Sequence, residues 1–200
     1  MSDLFNEKAK DWDKNEMVLQ LSNATSAAIL ENVEFHDQMQ VMDFGAGTGL
    51  ITSQVAAHVG TVTAVDISQA MLDKLAEKIN LNDKVQTVCQ DITEKALDQK
   101  FDVIISAMAM HHVKDTNLLM QCFSEHLKSG AKVALADLDK EDGTFHPADI
   151  EGVFHNGFDR DSLKNILQKN GFKDIQFVTA HTVNKEMKNY PIFLVTATKN

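Results

Sequence analysis

The densest chemical signal in the chain is Asp43-Phe44-Gly45-Ala46-Gly47-Thr48-Gly49, at the end of an apolar run from 41 and directly before a helix-like stretch, about 50–58. Glycines at such a junction permit a tight turn and let a ligand approach the backbone where any Cβ would clash. A dinucleotide-binding loop would place its third glycine at position 50, which is Leu50 here. Instead the glycines alternate, and Asp43 stands two residues ahead of the first. An acid there repels a pyrophosphate and can accept hydrogen bonds from a cationic amine. Asp66 ends the next strand-like run (61–66), where a carboxylate can accept both hydroxyls of a ribose. The plain alternative, a helix-capping acid, is weakened because Ser68 fills that role. Asp91 follows a third run (85–89), and Ile67 and Ile92 offer apolar walls between which an adenine ring could lie, its amino group donating to Asp91. A purely structural turn is the competing reading of the glycine loop, and the two later acids count against it.

A second group, Ser106-Ala107-Met108-Ala109-Met110-His111-His112, follows a fourth run at the carboxyl edge, where open α/β sheets bind ligands. An imidazole titrates near neutral pH, so His111 is the candidate general base, set against a loop histidine that only packs. Met108 and His112 are expected to touch a substrate. A third group follows the fifth run: Asp137, Asp139, Glu141, Asp142, His146 and His155. Carboxylates with histidines suit a divalent ion. Their spacing matches no ligand motif, so no metal is assigned; a pocket-lining loop is preferred, with His146 and His155 as substrate contacts.

The elements that must position these groups are legible as periodicity. Phe5, Ala9 and Trp12 fall at helical spacing, and after a break at 13–15 so do Val18, Leu21, Thr25 and Ala28. Ser68 caps a helix with Leu72, Leu75, Ala76 and Ile79 on one face. Residues 101–106 and 131–137 are nearly continuous apolar runs, as in strands of a parallel sheet buried on both faces. Between them a helix starts at Asp115, turns Leu118, Leu119, Cys122, Phe123 and His126 to one side, and is expected to end at Ser129-Gly130. A helix over 160–169 precedes two strands, 175–183 and 192–198, whose connection is too short for a crossover and therefore forms an antiparallel hairpin at one edge. Short strands alternating with helices are the mark of βαβ units.

Composition bounds the function. Two hundred residues suit one domain, 1–200, with no linker-like stretch. Acids outnumber bases 29 to 19, for a net charge of −10, which argues against nucleic acid and anionic membranes as partners. No run approaches the ~20 apolar residues of a membrane span, and the N-terminus lacks a signal peptide's apolar core, so the cytoplasm is the default compartment. Cys89 and Cys122, both in apolar stretches, read as buried reduced thiols.

The runs Val-Met-Asp-Phe-Gly-Ala-Gly-Thr-Gly-Leu, Val-Asp-Ile-Ser-Gln-Ala-Met-Leu and Gln-Asp-Ile, in this order and spacing, resemble class I S-adenosylmethionine-dependent methyltransferases. More narrowly, the chain resembles the small stand-alone group that includes ubiquinone/menaquinone-biosynthesis enzymes. The resemblance implies a Rossmann-like, doubly wound α/β fold. Read from their own residues, the N-terminal helices with Phe5, Trp12 and Met17 form a lid (1–35) over the core (36–200), set against simple packing of an amphipathic helix on the sheet. The resemblance further implies a seven-stranded sheet of order 3-2-1-4-5-7-6 with strand 7 antiparallel and helices on both faces. It places Asp43, Gly45, Ala46, Gly47 and Gly49 at the methionine end of S-adenosylmethionine. It places Asp66 at the ribose, Asp91 and Ile92 at the adenine, and Ser106, Ala107 and Met108 facing the reactive end. No Asn/Asp-Pro-Pro-Tyr-type motif follows the fourth strand, which disfavours nucleobase amines. The expected activity is methyl transfer to a small-molecule acceptor through oxygen, carbon or nitrogen, by a monomer or homodimer. A non-catalytic S-adenosylmethionine-binding protein, a protein methyltransferase and a nicotinamide-dependent oxidoreductase are the alternatives, the last disfavoured by Leu50.

Overall fold

The computed structural model describes residues 5–78, 84–147 and 150–200. Its seven strands are β1 (Gln40–Phe44), β2 (Thr61–Asp66), β3 (Val85–Cys89), β4 (Phe101–Ala107), β5 (Leu127–Leu138), β6 (Phe172–Lys185) and β7 (Lys188–Lys199). They form one sheet of order β3-β2-β1-β4-β5-β7-β6, parallel from β3 through β5, with β7 antiparallel to both neighbours. The expected order holds. Strand order reverses at β1, which pairs with β2 on one side and β4 on the other. That reversal opens a crevice beyond the carboxyl ends of β1 and β4, the usual ligand position in such sheets.

The helices are α1 (Glu16–Asn32), α2 (Leu50–Val55), α3 (Gln69–Lys78), α4 (Thr116–His126) and α5 (Arg160–Lys169). Their starts follow from capping chemistry: Asn15, Ser68, Asp115 and Asp159 each accept a hydrogen bond from a backbone N–H in the first turn. Alternation along the strands builds a core on each face. Met42 and Ile104 meet Leu119 and Phe123 of α4 and Leu163 and Leu167 of α5. Val41, Val103 and Ile105 meet Ile29 of α1 and Val55 of α2. Among the described residues no helix is long and apolar enough to cross a membrane.

Several sequence expectations are corrected. Residues 5–14 form two 3-10 turns, Lys8–Lys10 and Trp12–Lys14, not one α-helix. Helix α4 stops at His126, and Gly130, with φ 75°, lies inside β5. The left-handed glycine absorbs a register shift, since Phe101 faces Leu127 while Val103 faces Lys132. Leu118 and Ala76 are exposed, because α4 and α3 present neighbouring faces inward; Met71 takes the buried place on α3, and Ile79 lies outside the described residues. Cys89 is exposed while Cys122 is buried. Strand β3 is an edge strand, so apolar neighbours in sequence do not bury its thiol. The C-terminal hairpin runs longer than expected, turning only at Glu186 and Met187, both at positive φ (50° and 61°), as a tight hairpin turn requires.

Candidate active site

The glycine loop is shaped by three left-handed glycines with different neighbours. Gly45, Gly47 and Gly49 have φ of 69°, 54° and 80°. A Cβ at Gly45 would stand 2.3 Å from the Ala109 Cβ, and one at Gly49 would stand 2.6 Å from Leu75 Cγ. At Gly47 a Cβ would meet nothing within 4 Å. Gly45 and Gly49 therefore permit packing against the loop after β4 and against α3. Gly47 borders open space, as a backbone cradle for a ligand would. Asp66 closes the loop: its Oδ2 accepts from Gly47 N at 2.8 Å and its Oδ1 from Ser68 N at 2.9 Å. A carboxylate so placed at the end of β2, beside the glycine loop, is the group type that accepts ribose hydroxyls.

Around this loop the expected contacts divide. Ile67 is 64% exposed beside Asp66, a bare apolar surface suited to a flat ring. Ile92 is buried in the core with Met42 and Val65. Asp91 accepts from the backbone and hydroxyl of Thr93, at 2.8 and 2.6 Å. Ser106 is fully buried and donates to the Phe44 carbonyl at 2.9 Å, tying β4 to β1. Ala46, Ala107 and Met108 are half-buried, the last at φ 55° with its N–H on the Ala136 carbonyl.

Asp43 also departs from expectation. It shares with Val41 the strand face that α2 covers, is 2% exposed, and accepts from Thr52 Oγ1 at 2.5 Å. Burial pushes its titration up to about 7 despite the Thr52 bond, and the Asp66 charge pushes the same way. Only through movement or a bridging group could this carboxyl serve an amine.

The acceptor side is built around a buried pair. His111, on the 3-10 turn Met110–His112, is 1% exposed, and its Nδ1 lies 2.7 Å from Asp137 Oδ1. Asp137 is fully buried at the carboxyl end of β5 and also accepts from His111 N at 3.2 Å and Leu138 N at 2.8 Å. With Nδ1–H donating to the carboxylate, Nε2 becomes the basic atom, and it is buried without a hydrogen-bond partner. His112 and His146 stack against His111 with ring centroids 4.1 and 5.0 Å away. His112 Nδ1 donates to the Gly152 carbonyl at 2.7 Å, while His146 Nε2 is buried and without a partner. Burial first, then the His111 charge, holds both rings down to about 4, so they are neutral at physiological pH. His155 is not in this group: its Nε2 meets the Val113 carbonyl at 2.9 Å and Thr116 Oγ1 at 3.3 Å, bracing the loop from outside.

The acids that follow β5 disperse into separate tasks. Asp139 takes Arg160 with two bonds of 2.7 Å, and Asp142 takes Lys188 at 2.7 Å. Glu141 caps the backbone of Thr144 and Phe145. Among the described residues no three His, Cys, Asp or Glu side chains gather as a metal-holding group. The segment is a loop anchored by the Asp139–Phe158 bridge and folded onto the histidine turn, with Phe154 N donating to the His111 carbonyl at 2.9 Å. Sequence reading set Asp137 among these acids and missed its pairing with His111. A depression of about 580 Å³ lined by Val33, Phe35, His58 and Lys132 lies toward the amino ends of the strands, away from this chemistry.

A family model described as "Methyltransferase domain" matches residues 17–177. The chain belongs to the methyltransferase-domain family. It is 30% identical over 143 residues to a ubiquinone biosynthesis O-methyltransferase of Coxiella burnetii, covering 68% of this chain and 60% of that one. It is 29% identical over 168 residues to an uncharacterized methyltransferase of Schizosaccharomyces pombe, covering 76% and 57%. The aligned part thus falls short of two thirds of either relative's length. Among solved structures, a SAM-dependent methyltransferase of Aquifex aeolicus superposes with TM-score 0.73 at 22% identity, over 98% of both chains. Phosphoethanolamine N-methyltransferase 2 of Haemonchus contortus, in complex with S-adenosylhomocysteine, gives 0.71 at 20%, over 87% of this chain and 52% of that one. At such identities these structures establish the shared fold.

Asp43 yields a prediction for this methyltransferase-family chain. The unfolded chain releases the proton near 3.8 and the folded chain only near 7, so this group's contribution to stability is lost as pH rises from about 4 to 7. Asp43→Asn keeps an acceptor for Thr52 and removes that loss. Its thermal midpoint is expected to exceed wild type by about 4–8 °C at pH 8, from about 2 kcal/mol, and to match it near pH 4. Calorimetric scans at the two pH values test this.

Proposed function

We propose that this chain transfers the methyl group of S-adenosylmethionine to a small-molecule acceptor whose nucleophilic atom carries a proton, a hydroxyl being the simplest case. The single observation that carries the reading is the buried His111–Asp137 pair with an unpartnered Nε2, built on the loop that packs against Gly45. A protein that only held the cofactor would need the glycine loop but no oriented base. In the relatives, the ubiquinone biosynthesis O-methyltransferase carries an oxygen acceptor in its name, which favours the same acceptor chemistry here.

The residues fit the cofactor in kind. The Gly47 backbone leaves an open cradle, Asp66 sets a carboxylate beside that loop where ribose hydroxyls would lie, and Ile67 with Asp91 offers an apolar surface and an acid for the adenine. When bound, S-adenosylmethionine supplies an activated sulfonium methyl for in-line displacement. The chain's own part is to position the acceptor and take its proton. Asp137 holds the His111 ring so that Nε2 receives the hydroxyl proton, and the imidazolium formed is stabilised by the same carboxylate. The neutral rings of His112 and His146 leave His111 as the base of the cluster.

Calorimetric titration with S-adenosylmethionine and S-adenosylhomocysteine tests the cofactor half. Wild type is expected to bind both, and Asp66→Ala to bind about 10- to 100-fold more weakly through loss of charge-assisted hydrogen bonds. Absence of binding by wild type overturns the proposal.

A further inference from the structure

The segment 5–14 touches both halves of the candidate site. At one end Asp13 Oδ1 accepts from Thr48 Oγ1 at 2.5 Å, inside the glycine loop between Gly47 and Gly49. The other Asp13 oxygen pairs with Lys78 Nζ at the end of α3. At the other end the Phe5 ring stands edge-on to His112, with centroids 5.1 Å apart. Trp12 packs on Phe5 at 6.2 Å, and Ala9 between them in sequence is buried. One short stretch of chain thus runs from the ring that stacks on His111 to the loop that would cradle the cofactor.

We propose that residues 5–14 are a strap that governs exchange of the cofactor, and that Asp13 is its latch, a positioning residue acting through Thr48 and Lys78. This rests on the reading of the glycine loop as the S-adenosylmethionine site. The strap is suited to opening: two single 3-10 turns have little stability of their own. The latch is equally suited to release, since the Asp13 and Lys78 side chains remain 33% and 35% exposed, and an ion pair so exposed is weak and screened by salt. Under the closed strap, the side of Gly47 where a Cβ would point stays clear of protein atoms, leaving room for a ligand. The Phe5–His112 contact links the acceptor end to the latch, so that opening for cofactor exchange also disturbs the acceptor pocket.

The test is stopped-flow measurement of S-adenosylhomocysteine binding to the full chain, comparing wild type with Asp13→Ala and Lys78→Met. Asp13→Ala is expected to raise the dissociation rate about tenfold and Lys78→Met about threefold, with association changed less than about twofold. Added salt is expected to speed dissociation from wild type more than from either variant. A purely structural Asp13 would instead lower the thermal midpoint and leave the dissociation rate and its salt dependence unmoved, and that result overturns the strap. If wild type binds and all three dissociation rates agree, the strap falls while the cofactor site stands. If wild type does not bind, both fall together.

Discussion

Replacing His111 by alanine is expected to lower methyl-transfer turnover by about 10²- to 10⁴-fold while leaving S-adenosylhomocysteine affinity within about twofold. The imidazole is the one basic group in the site whose orientation is set from behind by a buried carboxylate, and its Nε2 has no competing partner. His112 and His146 cannot substitute, because burial holds their titration near 4 and weakens them as bases. Asp137→Asn is a sharper probe. An amide can hold the ring through the wrong tautomer, presenting Nε2–H where a lone pair is needed, so turnover is expected to fall on a similar scale. Asp137 also accepts two backbone N–H groups, so its loss lowers stability by about 1–3 kcal/mol as well, and a thermal scan must accompany the kinetics. The measurement is single-turnover transfer of labelled methyl from S-adenosylmethionine to a panel of hydroxylated acceptors, read against pH. Unaltered turnover in His111→Ala removes it as the base.

Gly45→Ala is expected to destabilise the protein by about 2–4 kcal/mol, lowering the thermal midpoint by about 5–15 °C, and to abolish activity. Two effects add. A left-handed φ of 69° is strained for alanine by about 1–2 kcal/mol, and its Cβ would stand 2.3 Å from that of Ala109. That contact is carbon to carbon at the root of both side chains, so relief requires the glycine loop and the turn carrying His111 to move apart. Gly47→Ala is the control. Its Cβ would enter open space at φ 54°, so only the backbone strain remains, about 1–2 kcal/mol. Its methyl would project into the proposed cofactor position, so affinity for S-adenosylhomocysteine is expected to fall further than stability does. Thermal scans and calorimetric titration of the two variants separate a packing glycine from a binding one. Equal effects at both positions would contradict the reading of the loop.

Much of the fold was legible because it rests on local rules. Alternating apolar runs, capping residues such as Ser68 and Asp115, and the helix over 160–169 follow from periodicity and hydrogen-bond capacity within a few residues. Errors gathered where local cues were ambiguous. Gly130 resembled a helix terminator, yet it relieves a register shift between β4 and β5. Cys89 sat in an apolar stretch, yet its strand lies at the sheet's edge.

By itself the sequence determined the order of elements, the tight glycine turn and the placement of Asp66, Asp91 and His111 at or shortly after strand ends, because backbone preference and side-chain period act over short spans. Only the tertiary structure decided which of those groups meet. The parallel register that sets Ala107 against Ala136 brings Asp137 beside His111, converting a member of an acidic run into the partner of a base. Likewise, packing of α2 over one strand face turned Asp43 inward to Thr52, and the core claimed the Ile92 side chain. Burial and pairing depend on what lies across the sheet, and no span of neighbouring residues records that.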